Sequence, residues 1–115
     1  MRLARIMRNR GHIAMLVDQK LNEGIDVPFF SRPAKTAPAI AVFALKYRCP
    51  VVPVRIERLG GARFRVTFWP PITLPNSGDR EADTLTIMTE INTWLEGWIR
   101  DTPGQWLWLH RRWGK

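Results

Sequence analysis

Ten consecutive residues, Thr36 to Leu45, carry neither a charge nor a glycine, and Ala39, Ile40, Val42, Phe43, Ala44 and Leu45 make them a helix apolar on most sides. Such a helix is stable only under cover, so the remaining chain must supply layers around it. Thr36 suits an N-cap and Pro38 a first turn, which sets the start of this helix. His12 to Val17, before it, reads as a buried strand of a parallel sheet. After it, Pro50 to Arg58 brings β-branched residues that alternate with polar ones past Pro53. Strand, helix, strand implies a right-handed crossover.

The other segments fit around that unit. Gly60-Gly61 signals a hairpin turn, and Arg63 to Trp69 alternates as an antiparallel return strand should. Asp83 is placed to cap a helix whose Leu85, Met88, Ile91, Leu95 and Trp98 fall at core spacings of three and four. Arg2 to Arg10 forms a short surface helix stopped by Gly11, its arginines suited either to a solvated face or to anionic headgroups. Pro103-Gly104 breaks the chain before Gln105 to Trp113, whose period fits a strand or a helix. The expected fold is α/β, a small mixed sheet with a βαββα core and a Trp-rich C-terminal segment, as a single domain over residues 1–115.

Charge narrows the function classes. Eighteen Lys plus Arg against 10 Asp plus Glu give a net charge of +8, which points to nucleic acid, acidic lipid headgroups or an acidic carrier protein. The aromatic residues fall mainly at apolar-periodic positions, not interleaved with bases as a stacking platform requires, so no nucleic-acid partner is expected. Cys49 stands alone, which excludes an internal disulfide framework, and two histidines do not complete a Cys/His metal site. Cys49 is expected to be a buried, inert thiol, and neither metal nor cofactor is expected. The charge-free run of ten is half the roughly 20 residues that a spanning helix needs. Arg2, Arg5, Arg8 and Arg10 also interrupt any cleavable signal, so none is expected.

Functional side chains concentrate in Val17 to Lys35, which reads as a loop at the C-terminal end of a strand, where open α/β sheets bind ligands. Asp18 there suits an Asx-turn or a ligand site, and Gln19 beside it favours the ligand site. His12 lies about 20 Å from Asp18 along an extended strand, so the two form no dyad.

Leu16-Val17-Asp18-Gln19, Val27-Pro28-Phe29-Phe30, Val51-Val52-Pro53-Val54-Arg55 and above all Gln105-Trp106-Leu107-Trp108-Leu109-His110-Arg111-Arg112-Trp113 closely resemble the late acyltransferases of lipid A biosynthesis. The resemblance runs essentially end to end. It implies a fold like the C-terminal part of the glycerolipid acyltransferases. It also implies transfer of a fatty acyl chain from acyl carrier protein or acyl-CoA to a hydroxyacyl chain of a lipid A precursor, at the cytoplasmic face of the bacterial inner membrane.

By the same resemblance, Asp18 is a supporting residue that orders the acceptor or the catalytic histidine. Arg32 and Lys35 are either phosphate ligands or solvated loop charge, and His110, Arg111 and Arg112 either bind substrate or anchor the tail at an interface. The family's general base, His followed after four residues by Asp or Glu, has no counterpart, because His12 is followed by Val17 at that step and His110 by Lys115. Ser31 also stands where the family has Gly. The chain therefore looks like the C-terminal part of the enzyme, expected to be inactive alone and to self-associate through uncovered apolar surface. The alternative is a basic, Trp-rich peripheral membrane module that binds lipid without turnover.

Overall fold

The computed structural model describes residues 2–107 and 111–114. In chain order these form α1 (Arg2–Arg8), β1 (Lys20–Phe29), β2 (Arg32–Thr36), α2 (Ala39–Tyr47), β3 (Val54–Gly60), β4 (Arg63–Phe68), α3 (Arg80–Asp101) and a 3-10 turn, Pro103–Gln105. The class is α/β, as the pattern implies. The sheet is not the single mixed one expected: β1 pairs with β2 and β3 with β4, both antiparallel, and no parallel crossover joins them.

One expected strand and the start of another have no ladder among the described residues. Residues 12–17 alternate between exposed and half-buried but pair with no strand among the described residues, whereas the strand expected from Pro50 begins at Val54 as β3. Residues 51–53 are tied instead to the chain beyond β4: Trp69 N donates to Pro53 O at 3.0 Å and Ile72 N to Val51 O at 2.9 Å. Pro50, Pro53, Pro70 and Pro71 bring no N–H to these stretches, so a continuous ladder cannot form there.

The stretch read as a ligand loop is mostly the β1–β2 hairpin. Ile25, Val27 and Phe29 share one face with Ala34 and Thr36 across the register, and Val27, Phe29, Ala34 and Thr36 are buried. Phe30 and Ser31 make the turn with φ of 50° and 63°, a left-handed conformation that glycine or asparagine usually supplies. Gly24 sits where the register shifts between Lys20 and Ile25, packed directly on the partner backbone. A Cβ there would stand 2.2 Å from Thr36 O and 2.9 Å from Leu21 O. Gly24→Ala should therefore cost about 1–3 kcal/mol through forced backbone displacement. Urea unfolding checks this, and an unchanged midpoint would contradict the tight packing at this bulge.

The core lies where the hairpin, α2 and α3 meet: Val27, Ala41, Leu45, Ile87, Met88 and Ile91 form its buried centre. Burying side chains of this size contributes about 1.5–3 kcal/mol each, which makes this contact the main source of stability. Helix α2 starts at Ala39 with Pro38 as its N-cap residue, not at Thr36, which ends β2. It closes on Arg48 in the left-handed conformation, as the expected stop at residues 47–49 requires. Val42 remains 45% exposed, so the apolar helix is covered on part of its circumference only.

Helix α3 is capped by Asp79, whose side chain accepts from Glu81 N and Ala82 N. Asp83, the expected cap, is buried and staples the preceding loop, accepting from Ser77 Oγ at 2.6 Å and Ser77 N at 3.1 Å. Of the expected core positions on α3, Met88 and Ile91 are buried, Leu95 and Trp98 are half-buried, and Leu85 is exposed. Cys49 is half-buried rather than fully enclosed. Among the described residues, no helix is long and apolar enough to cross a membrane.

Candidate functional site

The terminal segment adopts neither of its two expected periods in the described residues and instead clasps the β1–β2 hairpin. Three of its side chains reach back across the whole fold. Trp106 Nε1 donates to Asp18 Oδ2 at 3.2 Å, and Trp113 Nε1 donates to Phe29 O at 2.9 Å. Arg112 Nη1 donates to Lys35 O at 2.9 Å and Nη2 to Thr36 Oγ1 at 3.0 Å, with the guanidinium 5.1 Å from the centre of the Phe29 ring. Phe29 is the hub: the rings of Phe30, Trp106 and Trp113 stand 4.8, 5.8 and 5.5 Å from it. Helix α3 holds the turn from the other side, with Phe30 N donating to Glu96 Oε1 and Asn92 Nδ2 to Pro28 O.

Arg112 is fully buried, which is rare for a cation with no ion-pair partner among the described residues. Burial pushes its guanidinium below the ordinary arginine value, and the nearby Asp18 carboxylate opposes that shift. The group nonetheless stays protonated at any accessible pH, so its desolvation cost is a constant of the fold. Its Nε has no hydrogen-bond partner among the described residues.

The sequence-predicted residues thus divide. Asp18, Arg32, Lys35 and Arg112 come together around the hairpin, Arg32 lying 5.5 Å over the Trp113 ring. Lys35 pairs with Asp26 at 3.4 Å on the surface, an ion pair worth little in water. Gln19 and Arg111 are exposed at the margin, and His110 lies outside the described residues. Asp18 accepts an indole N–H, and its carboxylate lies near enough to the buried Arg112 guanidinium to act on it electrostatically.

A second feature went unseen in the sequence. Residues 11–15 and 48–54 flank an open groove of about 870 Å³, lined by Met7, His12, Phe43, Val51, Trp94 and Trp98 among others. Trp69 stacks on Trp98 at 5.3 Å and meets Trp94 edge-on at 5.4 Å, fixing that wall. Arg10 and Arg48 stand at its border, and no carboxylate lies among its described lining residues. His12 lines this groove, and Asp18 is not among its described lining residues. The proline-flanked apolar stretch 50–54 was the available signal, because a β-rich run that cannot complete a ladder leaves a wall without a neighbour. Among the described residues, no group of His, Cys, Asp or Glu could hold a metal ion.

A wide, mostly apolar groove with arginines among its lining residues suits a largely apolar ligand. The bacterial lipid A biosynthesis acyltransferase family matches residues 2–115, and the chain belongs to that family. A comparison with curated proteins gave no match. The family assigns the chain to acyltransferase chemistry in lipid A biosynthesis.

Proposed function

We propose that this chain forms the acceptor-lipid side of a lipid A acyltransferase, in which a fatty acyl group passes from acyl carrier protein or acyl-CoA to a hydroxyacyl chain of a lipid A precursor. The observation that carries the reading is the apolar groove bordered by Arg10 and Arg48, which matches an acyl chain beside an anionic headgroup. Asp18, held by Trp106 and facing Arg112, positions the acceptor at the hairpin. Arg32 and Arg111 are exposed cations available to its phosphates, and Gln19 is an exposed amide available to the acceptor. The cytoplasmic face of the inner membrane is where such a substrate would be met.

The chain by itself binds and does not turn over. Deprotonating an acceptor hydroxyl needs a base within hydrogen-bond reach, and the groove's one histidine has no carboxylate beside it among the described lining residues. Loss of a general base removes roughly 100- to 10,000-fold in rate. Lipid A precursor incubated with acyl carrier thioester and this chain should therefore gain no acyl group by mass spectrometry, while the precursor co-elutes with the protein. Acylation above a boiled control would contradict the first half, and failure to co-elute the second.

A further inference from the structure

The β3–β4 hairpin is built with its polar side inward. Arg55, on the inner face, donates to Thr102 Oγ1 at 3.0 Å and to Asp101 Oδ2 at 3.3 Å, and pairs with Glu57 at 3.6 Å. Gln105 ties down the β3 edge from both ends of its amide, accepting from Arg58 N at 2.9 Å and donating to Arg58 O at 3.0 Å. These bonds fix which face of the hairpin looks out. The outward face carries Val54, Ile56, Phe64, Val66 and Phe68, and the exposures of Ile56, Phe64 and Phe68 are 66%, 60% and 70%. Directly opposed pairs, Val54 with Phe68 and Ile56 with Val66, make the apolar surface continuous across both strands.

Charge says what covers this face. Arg58 lies opposite Phe64 on the same face, whereas Arg63 and Arg65 alternate onto the other face of β4, Arg65 directly opposite Glu57. The hairpin's one acid, Glu57, is turned inward onto Arg55. An apolar patch that carries a cation, Arg58, and no outward acid suits the interface of an anionic bilayer, where the rings enter the acyl region and the guanidinium group meets headgroup phosphates. Val54 and Phe68 also line the groove, so the outward face runs into it without a polar break.

The geometry points to this outer face of the β3–β4 hairpin as the surface that docks the chain on an anionic membrane, opening the groove directly to the lipid phase. The inference rests on reading the chain as a lipid-handling domain. It adds the surface and the route by which a lipid chain reaches the groove without crossing water.

Flotation with vesicles tests it. The parent chain should float with vesicles of equal parts phosphatidylglycerol and phosphatidylcholine and much less with pure phosphatidylcholine. The double variant Phe64→Ser, Phe68→Ser should lower partitioning by about tenfold or more, because two rings lose their apolar transfer. Arg58→Gln should weaken the preference for the anionic vesicles. Arg58 is exposed, so this variant spares the core if the serine pair unfolds the hairpin. Leu85→Ser, at an exposed position of α3, should float like the parent.

Equal flotation of parent and hairpin variants would overturn the inference. So would a parent that ignores both vesicles while forming a dimer that the serine pair abolishes, which would assign the face to a second copy. Precursor co-elution without vesicle docking would remove this inference alone. Vesicle docking through the hairpin without precursor co-elution would remove the acceptor-lipid function instead.

Discussion

Arg112→Ala is expected to destabilise the chain by about 3 kcal/mol or more, the largest effect of any single replacement considered for this fold. The guanidinium is fully buried, donates to Lys35 O and Thr36 Oγ1, and covers the Phe29 ring. Alanine removes both bonds and leaves a cavity beside a ring that three other aromatic side chains also touch. Arg112→Met separates the two contributions. It keeps an unbranched stem against Phe29 and removes a buried charge that has no ion-pair partner among the described residues. Methionine should therefore cost about half as much as alanine. Urea unfolding followed by Trp fluorescence measures both, and an alanine variant within about 0.5 kcal/mol of the parent would show that the clasp does not hold the hairpin.

What the sequence made legible follows from how locally each element is determined. The Gly60-Gly61 turn and the β3–β4 pairing are encoded within short windows and stand as expected, while α3 begins at Arg80 under the Asp79 cap, ahead of the expected cap at Asp83. The β1–β2 hairpin was hidden by its own residues. Phe30 and Ser31 rarely adopt left-handed turns, and Pro28 and Pro33 argue against a ladder. The structure accommodates both prolines by placing them opposite each other, so one rung alone lacks donors. The strand at His12 to Val17 was expected to be buried, yet His12, Ala14 and Leu16 are exposed, and it pairs with no strand among the described residues, a long-range property that no local window contains.

The same distinction governs the site. Asp18 and Arg112 were marked by resemblance, but their joint placement depends on contacts that span most of the chain. Trp106 and Asp18 are 88 residues apart, and Arg112 and Thr36 are 76 apart. No local pattern shows that a terminal arginine will be buried under a hairpin. Nor does periodicity separate Trp98, which lines the groove, from an ordinary core residue.

An acyl chain bound in the groove would lie beside three of the tryptophans, which makes its binding measurable. Trp94 and Trp98 line the groove and Trp69 packs on both, whereas Trp106 and Trp113 surround Phe29 at the hairpin. Bromine atoms on a bound chain quench only the indoles they approach closely. A lipid A precursor with brominated acyl chains should therefore produce a large, saturable fall in the parent's emission. The double variant Trp94→Phe, Trp98→Phe should still co-elute with the precursor and lose most of that fall, since phenylalanine keeps an apolar wall. A parent that is not quenched by the brominated precursor, or a double variant quenched as strongly as the parent, would contradict an acyl chain in this groove.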